Sequence, residues 1–434
     1  MQYSWKAGAA RARAYYVSVR TRGAQLWASR SSVSVKQLRP ALPWGAGLLV
    51  LLVGASVLVF SRSGSDSTVA SVKAGGSASV VAADSAVKPT VAIVPADGAK
   101  KVGLSEKVKI TATQGTLSAI KVAAKSGKAI KGRLSADGTT WTSKGVLAAA
   151  TTYVVTVEAA GTAGSTTAES STFRTVVPNG SGTASFEYSG ETVGVGMPVI
   201  ANLSHSVSAK DRTAVQDAMT VTSTPSVVGA WHWMTSTQVI WRPKTYWPAN
   251  TKVKVTANLA GVQLAPGVWG SKTKHSGSLS IGSAMISTVD MSKHTMTVRK
   301  NGKVLKTIPV TTGKSGLETR TGVKVIMTKE TSRVMDSTTT GVGKGSPNYY
   351  RIKVYFAMRL TNTGEFLHAA PWSVGSQGHA NVSHGCTGMS NYWASWMFNH
   401  SKVGDVVIYK HSPHKLEWGN GLTVWNMPFS TWSK

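Results

Sequence analysis

The sequence predicts a mainly β chain built from several small domains, and three observations carry that prediction. Short runs that alternate apolar with small or polar residues recur from about residue 90 onward, the mark of half-buried strands rather than of a 3.6-residue helical period. Gly, Ala, Ser, Thr and Val dominate, with 43 Gly, and turn pairs such as Asp137-Gly138 and Asn301-Gly302 punctuate the runs. At 434 residues the chain is too long for one core, so two to four domains are expected.

The elements follow in order. Residues 1–41 form a basic segment that carries Lys6, Arg11, Arg13, Arg20, Arg22, Arg30, Lys36 and Arg39 and no acidic residue. An uncharged apolar run follows over residues 42–60, close to the ~20 residues that cross a bilayer as a helix, and its basic flank belongs on the cytoplasmic side. This predicts a retained single-pass transmembrane anchor in the cell membrane, with everything beyond Arg62 outside. A cleaved signal peptide is the competing reading; the long basic region, the length of the apolar run and the lack of an A-x-A directly after it weigh against it. Residues 61–88, mostly Ser, Ala, Gly, Val and Asp, read as a flexible linker.

Over residues 89–177, runs such as VKITAT, IKVAA and YVVTVEAA are separated by turn signals at residues 95–98 and 137–138. That spacing predicts an antiparallel sandwich of immunoglobulin-like size without its disulfide. Residues 178–283 repeat the style with more tryptophan: Trp231, Trp233, Val239 and Trp241 alternate before turns at Pro243 and Pro248. These tryptophans read as core and inter-domain packing rather than as a sugar-stacking site. Two such modules in series make a stalk, and neither offers a catalytic grouping.

Residues 284–411 form a third domain. TMTVRKNGKVLKTIPVTTGK is a hairpin in outline, with Asn301-Gly302 as a type I′ turn, and VKVIMTKE and IKVYFAMRL continue the β pattern. Between those two lies SRVMDSTTTGVGKGSPNYY, without a period, which reads as a lid. Ser390 is the predicted N-cap of a short helix with Trp393, Trp396 and Met397 on one face, and GDVVIYK closes the sheet. Residues 412–434 form a C-terminal subdomain expected to pack back on this domain through Trp425 and Trp432.

The chemistry concentrates in HAAPWSVGSQGHANVSHGCTGMS, residues 368–390, which holds the only cysteine of the chain. Cys386 lies two residues after His384, with His379 and His368 upstream, an arrangement that lowers a thiol's pKa and makes it a covalent catalyst. In an exported protein a lone cysteine is either reactive or an intermolecular link, and glycine and polar neighbours argue against a buried hydrophobe. His384 and Cys386 point the same way in extended backbone, while His368 stands at the end of the apolar run EFLHAA. No Asp or Glu occurs over residues 366–404, so a backbone carbonyl beside His368 is the expected means of fixing its tautomer. Gly385 leaves room for N–H groups near Cys386 to approach an oxyanion.

The formal charge of +30, from 48 Lys and Arg against 18 Asp and Glu, first points to nucleic acid. No helix-turn-helix, zinc-finger or RNP-type pattern accompanies it. An anionic polymer such as a bacterial cell wall fits equally, and no nucleic-acid partner is expected.

The stretch from His368 to Ser390 with SHGC at its heart, together with VRKNGKVLKTIPVTTGK, the MDSTTTG segment and the WNMPFSTW tail, resembles the L,D-transpeptidases with a YkuD-type catalytic domain. It is most similar to the membrane-anchored actinobacterial form with two immunoglobulin-like domains, over roughly residues 178–434. The resemblance implies peptidoglycan cross-linking without cofactor or metal, and acylation by carbapenems. Cys386 would attack the third-residue carbonyl of a tetrapeptide stem, expel D-alanine and leave a thioester, which the side-chain amine of a second stem's third residue resolves. His368 would be the general base and acid, held by the Ala369 carbonyl. The Gly385 and Cys386 N–H groups and the Tyr350 hydroxyl would form the oxyanion site, with His384 supporting the loop. Thr363, Gly364, Met335, Trp372, Ser383 and Gly388 would complete the substrate-binding set. Gly388 departs from the family, which usually has Arg or Asn there.

Rival readings remain at this point. A sortase needs an Arg shortly after its cysteine, and this chain has none beyond Arg359; a papain-like peptidase places its His after the Cys. Zinc bound by His368, His379, His384 and Cys386 suits the ligand types but fits no common spacing. A wall-binding stalk protein with an impaired terminal domain is kept open by Gly388.

Overall fold

The alternating runs become strands of stacked sheets. The computed structural model describes residues 87–434; the basic segment, the apolar run 42–60 and nearly all of the linker lie outside the described residues. Among the described residues no helix is long and apolar enough to cross a membrane.

In the first β unit, Thr90–Val94, Lys109–Thr113, Thr140–Ser143 and Gly132–Leu134 form one sheet, and Thr116–Ala124, Thr152–Ala160 and Thr166–Arg174 form the other. Strict alternation in TYVVTVEAA turns Tyr153, Val155, Val157 and Ala159 inward, where they meet Ile110 and Trp141 of the opposite sheet in one core. The second unit pairs Met219–Thr224, Lys252–Ala257, His275–Ile281 and Thr192–Val193 in one sheet, against Gly229–Trp233, Gln238–Pro243, Val199–Leu203 and Ala184–Phe186 in another. Its tryptophans go to packing: Trp241 stacks on Trp247 at 5.3 Å, and Trp231 and Trp233 lie against buried core residues.

The third unit carries the cysteine. A five-stranded sheet runs in the order Lys303–Pro309, Thr295–Lys300, Met285–Asp290, Val406–Lys410, Gly322–Val325, and a four-stranded sheet in the order Thr328–Asp336, Arg351–Arg359, Phe366–Ala369, Thr387–Met389. Val289, Met296, Ile308 and Val407 from the first and Met358, Leu367 and Met389 from the second share a core with Met397 of the helix Asn391–His400. The hairpin turn is of the predicted kind, because Asn301 and Gly302 both have positive φ, 50° and 83°. Ser390 caps the helix, its Oγ accepting from Trp393 N–H at 3.3 Å.

Two expectations need correction. The first residues of the expected lid, Ser332 to Asp336, belong to the strand Thr328–Asp336, paired with its neighbour as far as Asp336 opposite Arg351. Only residues 337–350 are irregular; they are the tip of a long hairpin, opened by the 3-10 turn Ser337–Thr340, whose cap is the Asp336 carboxylate. The C-terminal segment, expected to pack on the cysteine-bearing domain through its tryptophans, instead turns them to the second β unit. Trp425 Nε1 donates to the Gly196 carbonyl and Trp432 Nε1 to the Ala230 carbonyl, each at 2.8 Å. Asn426 holds the other side by accepting from Val323 N–H at 2.7 Å, so the segment straps the two units together.

Candidate active site

His368 ends up beside Cys386 because two strands run parallel. Phe366–Ala369 pairs with Thr387–Met389, and His368 lies opposite Gly388, two residues beyond the cysteine. The rings and the sulfur open on one cavity of about 570 Å³, which His368, Cys386, His384, Tyr350, Met335 and Trp372 line together with Ser383 and Gly388. His368 is buried, with its Nδ1 2.8 Å from the Ala369 carbonyl oxygen. That bond makes Nδ1 the protonated nitrogen and leaves Nε2 as the acceptor. Trp372, half exposed, stacks over the His368 ring at 6.1 Å.

The cysteine departs from expectation. It is 7% exposed, packed against Met335, Val354, Ala357 and Phe366, and its Sγ donates toward the Gly364 carbonyl at 3.5 Å. Burial pushes its thiol up to about 12 rather than down, outweighing a bond from the Phe366 backbone, and burial also lowers His368 below the usual histidine value. The resting pair is therefore a neutral thiol and a neutral imidazole, not a preformed thiolate. The sequence neighbours of Cys386 are polar; the groups that desolvate it come from other strands.

His384 does not reach the sulfur as a bonded partner in this structure. Its ring lies 5.0 Å from that of Tyr350, and burial with the nearby Lys314 lowers its pKa. Together these two rings also wall a second cavity of about 610 Å³ containing Thr363, Gly364 and Gly385. The predicted substrate contacts thus divide between two cavities that meet at Tyr350 and His384. Gly385 adopts φ +115°, where a side chain would be strained. Its N–H, expected at an oxyanion, donates to Ser383 Oγ at 3.1 Å, and that hydroxyl donates to the Cys386 carbonyl at 2.6 Å. Both residues brace the loop. At Gly388 a Cβ would meet Ala370 Cβ at 2.9 Å and Thr311 Cγ2 at 3.0 Å, so Thr311 and Ala370 occupy the room a larger residue would need. Among the described residues no group of three or more His, Cys, Asp or Glu is placed to hold a metal ion.

A carboxylate does stand near the thiol, at Glu365, one residue before the carboxylate-free stretch 366–404. Glu365 is buried in a bond with the fully buried Lys324 and accepts from Arg320 Nη1 at 3.2 Å. The signal was present as a charge inside each of two otherwise apolar runs, GVKVIM and GEFLHAA, with Lys324 on the inward phase of its strand.

Two family models match the chain: "Bacterial Ig domain" over residues 99–263 and "L,D-transpeptidase catalytic domain" over residues 285–408. L,D-transpeptidase 2 of Mycobacterium tuberculosis is 36% identical over 341 residues, covering 77% of this chain and 82% of the relative. The chain belongs to the L,D-transpeptidase family. L,D-transpeptidase 5 of the same organism is 31% identical, with 79% of this chain and 76% of the relative covered. Among solved structures, the LD transpeptidase LdtMt1 in complex with imipenem is 36% identical, with a TM-score of 0.46 over 54% of this chain and all of that one. The protein is thus an L,D-transpeptidase, an acyltransferase whose YkuD-type domain carries the first cavity and walls the second together with residues 414–417 of the C-terminal segment.

Proposed function

We propose that this L,D-transpeptidase cross-links peptidoglycan stems through a Cys386 thioester. The observation that carries the reading is one cavity lined by both the sole thiol and an imidazole whose Nδ1 is tied to a backbone carbonyl. As Cys386 Sγ attacks the third-residue carbonyl of a tetrapeptide stem, its proton passes to His368 Nε2, which a neutral thiol and a neutral imidazole permit without a charged resting state. The oxyanion is held by the Cys386 N–H and the Tyr350 hydroxyl. Burial raises Tyr350 to about 12, so it remains a donor. Collapse breaks the bond to D-alanine, whose amine takes the proton from His368. The side-chain amine of a second stem's third residue then attacks the thioester, gives its proton to His368 and releases the thiol as a 3-3 cross-link forms. Two substrates need two approaches: the sulfur lines the first cavity, and the second adjoins it at Tyr350 and His384 and is lined by Gly364 and Gly385 beside the thiol.

Residues 89–177 and 178–283 are read as two immunoglobulin-like sandwiches spacing the catalytic domain, 284–411, and its C-terminal subdomain, 412–434, away from a membrane anchor at 42–60. The catalytic domain then works outside the cell membrane, in the wall, where the positive charge favours anionic polymers over longer range. Purified protein incubated with a tetrapeptide stem should release D-alanine and yield dimers joined between third residues. A carbapenem should leave one adduct in the intact-mass spectrum, and Cys386→Ala should abolish all three. Release of D-alanine by that variant would overturn the reading.

A further inference from the structure

Beneath the cysteine lies a charged network that the proposed chemistry does not use. The Lys324 side chain is 0% exposed and bonds Glu365, itself 5% exposed. Glu365 Oε1 accepts from Arg320 N–H at 3.0 Å and from its Nη1 at 3.2 Å, and Glu365 N–H donates to Thr361 Oγ1 at 2.9 Å. These bonds fix the turn whose preceding carbonyl, that of Gly364, accepts from Cys386 Sγ. On the other side, Lys324 Nζ lies 3.9 Å from the centre of the Tyr409 ring, and the Tyr409 hydroxyl is 2.7 Å from Thr387 Oγ1, on the residue after the cysteine. Thr319 Oγ1 donates to the carbonyl of Gly385, the residue before it, at 2.8 Å.

A buried ion pair contributes little beyond what apolar side chains of the same volume would, because both charges are desolvated. Stability alone does not account for one placed behind a nucleophile. We propose that Glu365 and Lys324 are positioning residues for Cys386: Glu365 holds the Gly364 carbonyl against the thiol, and Lys324 cancels the field of that carboxylate so that the sulfur can still lose its proton. Burial dominates the thiol's ionisation, the Glu365 charge pushes it further up, and the Lys324 charge pulls it back. Among the described residues the other titratable or charged groups around the sulfur and its cavity are His368, Tyr350, His384, Arg351, Arg359 and Tyr409.

The inference rests on Cys386 being the nucleophile, but its test does not. Because the chain has a single cysteine, iodoacetamide alkylation of the whole protein reports on that thiol alone. Lys324→Met removes the fully buried cation and leaves Glu365 paired with the partly exposed Arg320, so the alkylation rate should fall about tenfold at fixed pH, the equivalent of a shift of roughly one pH unit to the alkaline side. Adding Glu365→Gln should bring the profile back to that of the parent protein. Lys324→Gln keeps a donor to Glu365 and serves where the Met variant does not fold. A purely structural pair would change the melting temperature without moving the profile along the pH axis. An unmoved profile, an acid-side shift, or no return in the double variant would overturn the proposal, while D-alanine release by the parent protein would still test the proposed function separately.

Discussion

Cys386 and His368 line one cavity as neutral groups, and that sets how the protein should respond to pH. In the proposed mechanism His368 is the base, a role open to it only when unprotonated, and burial lowers its pKa below the usual histidine value of 6.5. Its base form therefore survives acidification through the ordinary histidine range and is lost only as pH falls through the lowered value. As pH falls from 8, the rate of carbapenem acylation should decline with a midpoint below 6.5; a decline centred at or above 6.5 would contradict the assignment. His368→Ala should lower the acylation rate by roughly 10²–10⁴-fold, the usual worth of a general base, with thermal unfolding still cooperative. At this scale the motif was legible because His368, Ala369 and Cys386 are close in sequence. The burial of the sulfur was not, since Met335, Val354 and Ala357 reach it from strands 29 or more residues away in the chain, and no local window shows them.

At the scale of elements, legibility followed locality in the same way. The Asn301-Gly302 hairpin and the Ser390 cap are decided within a few residues, whereas the length of the hairpin ending at Asp336 and Arg351 depends on pairing across the irregular tip between them. Gly404 and Asp405, read from the sequence as the start of the closing strand GDVVIYK, lie instead in the turn before the strand Val406–Lys410, and that turn forms part of the joint to the second β unit. Gly194 N–H donates to the Val403 carbonyl and Gly196 N–H to the Gly404 carbonyl, each at 2.8 Å. A Cβ on Gly194 would lie 2.2 Å from Asp405 Oδ1. Asp405 is 1% exposed; its Oδ2 accepts from Lys402 N–H at 2.7 Å, and its Oδ1 has no hydrogen-bond partner among the described residues. Burial raises it to about 7, against the pull of Lys402 and Lys329. With the folded pKa above the unfolded one, the folded state holds an extra proton between about pH 4 and 7, and stability from this group is lost as pH rises through 7. Asp405→Asn keeps the acceptor for Lys402 and removes the ionisation. It should be more stable than the parent by about 2–4 kcal/mol at pH 8, with the gap less than half as large at pH 5, in urea titrations at the two pH values. An equal difference at both would show that the carboxyl is already ionised at pH 5 in the folded protein, with no raised pKa.

Across the whole molecule, the C-terminal strap converts packing on the second β unit into order at the active site. Its anchor is Arg242, 2% exposed, whose guanidinium lies 5.0 Å from the Trp425 ring, 5.3 Å from Phe429 and 4.9 Å from Trp432. Its Nη2 donates to the Met427 carbonyl at 2.7 Å, across 185 residues of chain. That separation is why the tryptophans were legible as packing residues while their partner was not. Upstream in the strap, Asn420 accepts from Thr363 N–H at 3.1 Å and donates to Thr363 Oγ1 at 3.0 Å, and Glu417 accepts from Arg320 Nε at 2.7 Å. The turn that presents Gly364 to the thiol is thus held by a segment whose own hold is an arginine in another unit. Arg242→Ala should cost about 2–4 kcal/mol, as loss of a desolvated cation among aromatic faces and of its hydrogen bond does. It should also expose residues 412–434 to limited proteolysis, with cleavage read by intact mass, and slow carbapenem acylation although no catalytic group has been touched. Arg242→Lys retains the charge without the planar surface that stacks on the rings, so it should fall between the two. Unchanged acylation in an Arg242→Ala protein whose tail is demonstrably cleavable would show that the turn at Thr363 holds its shape without the strap.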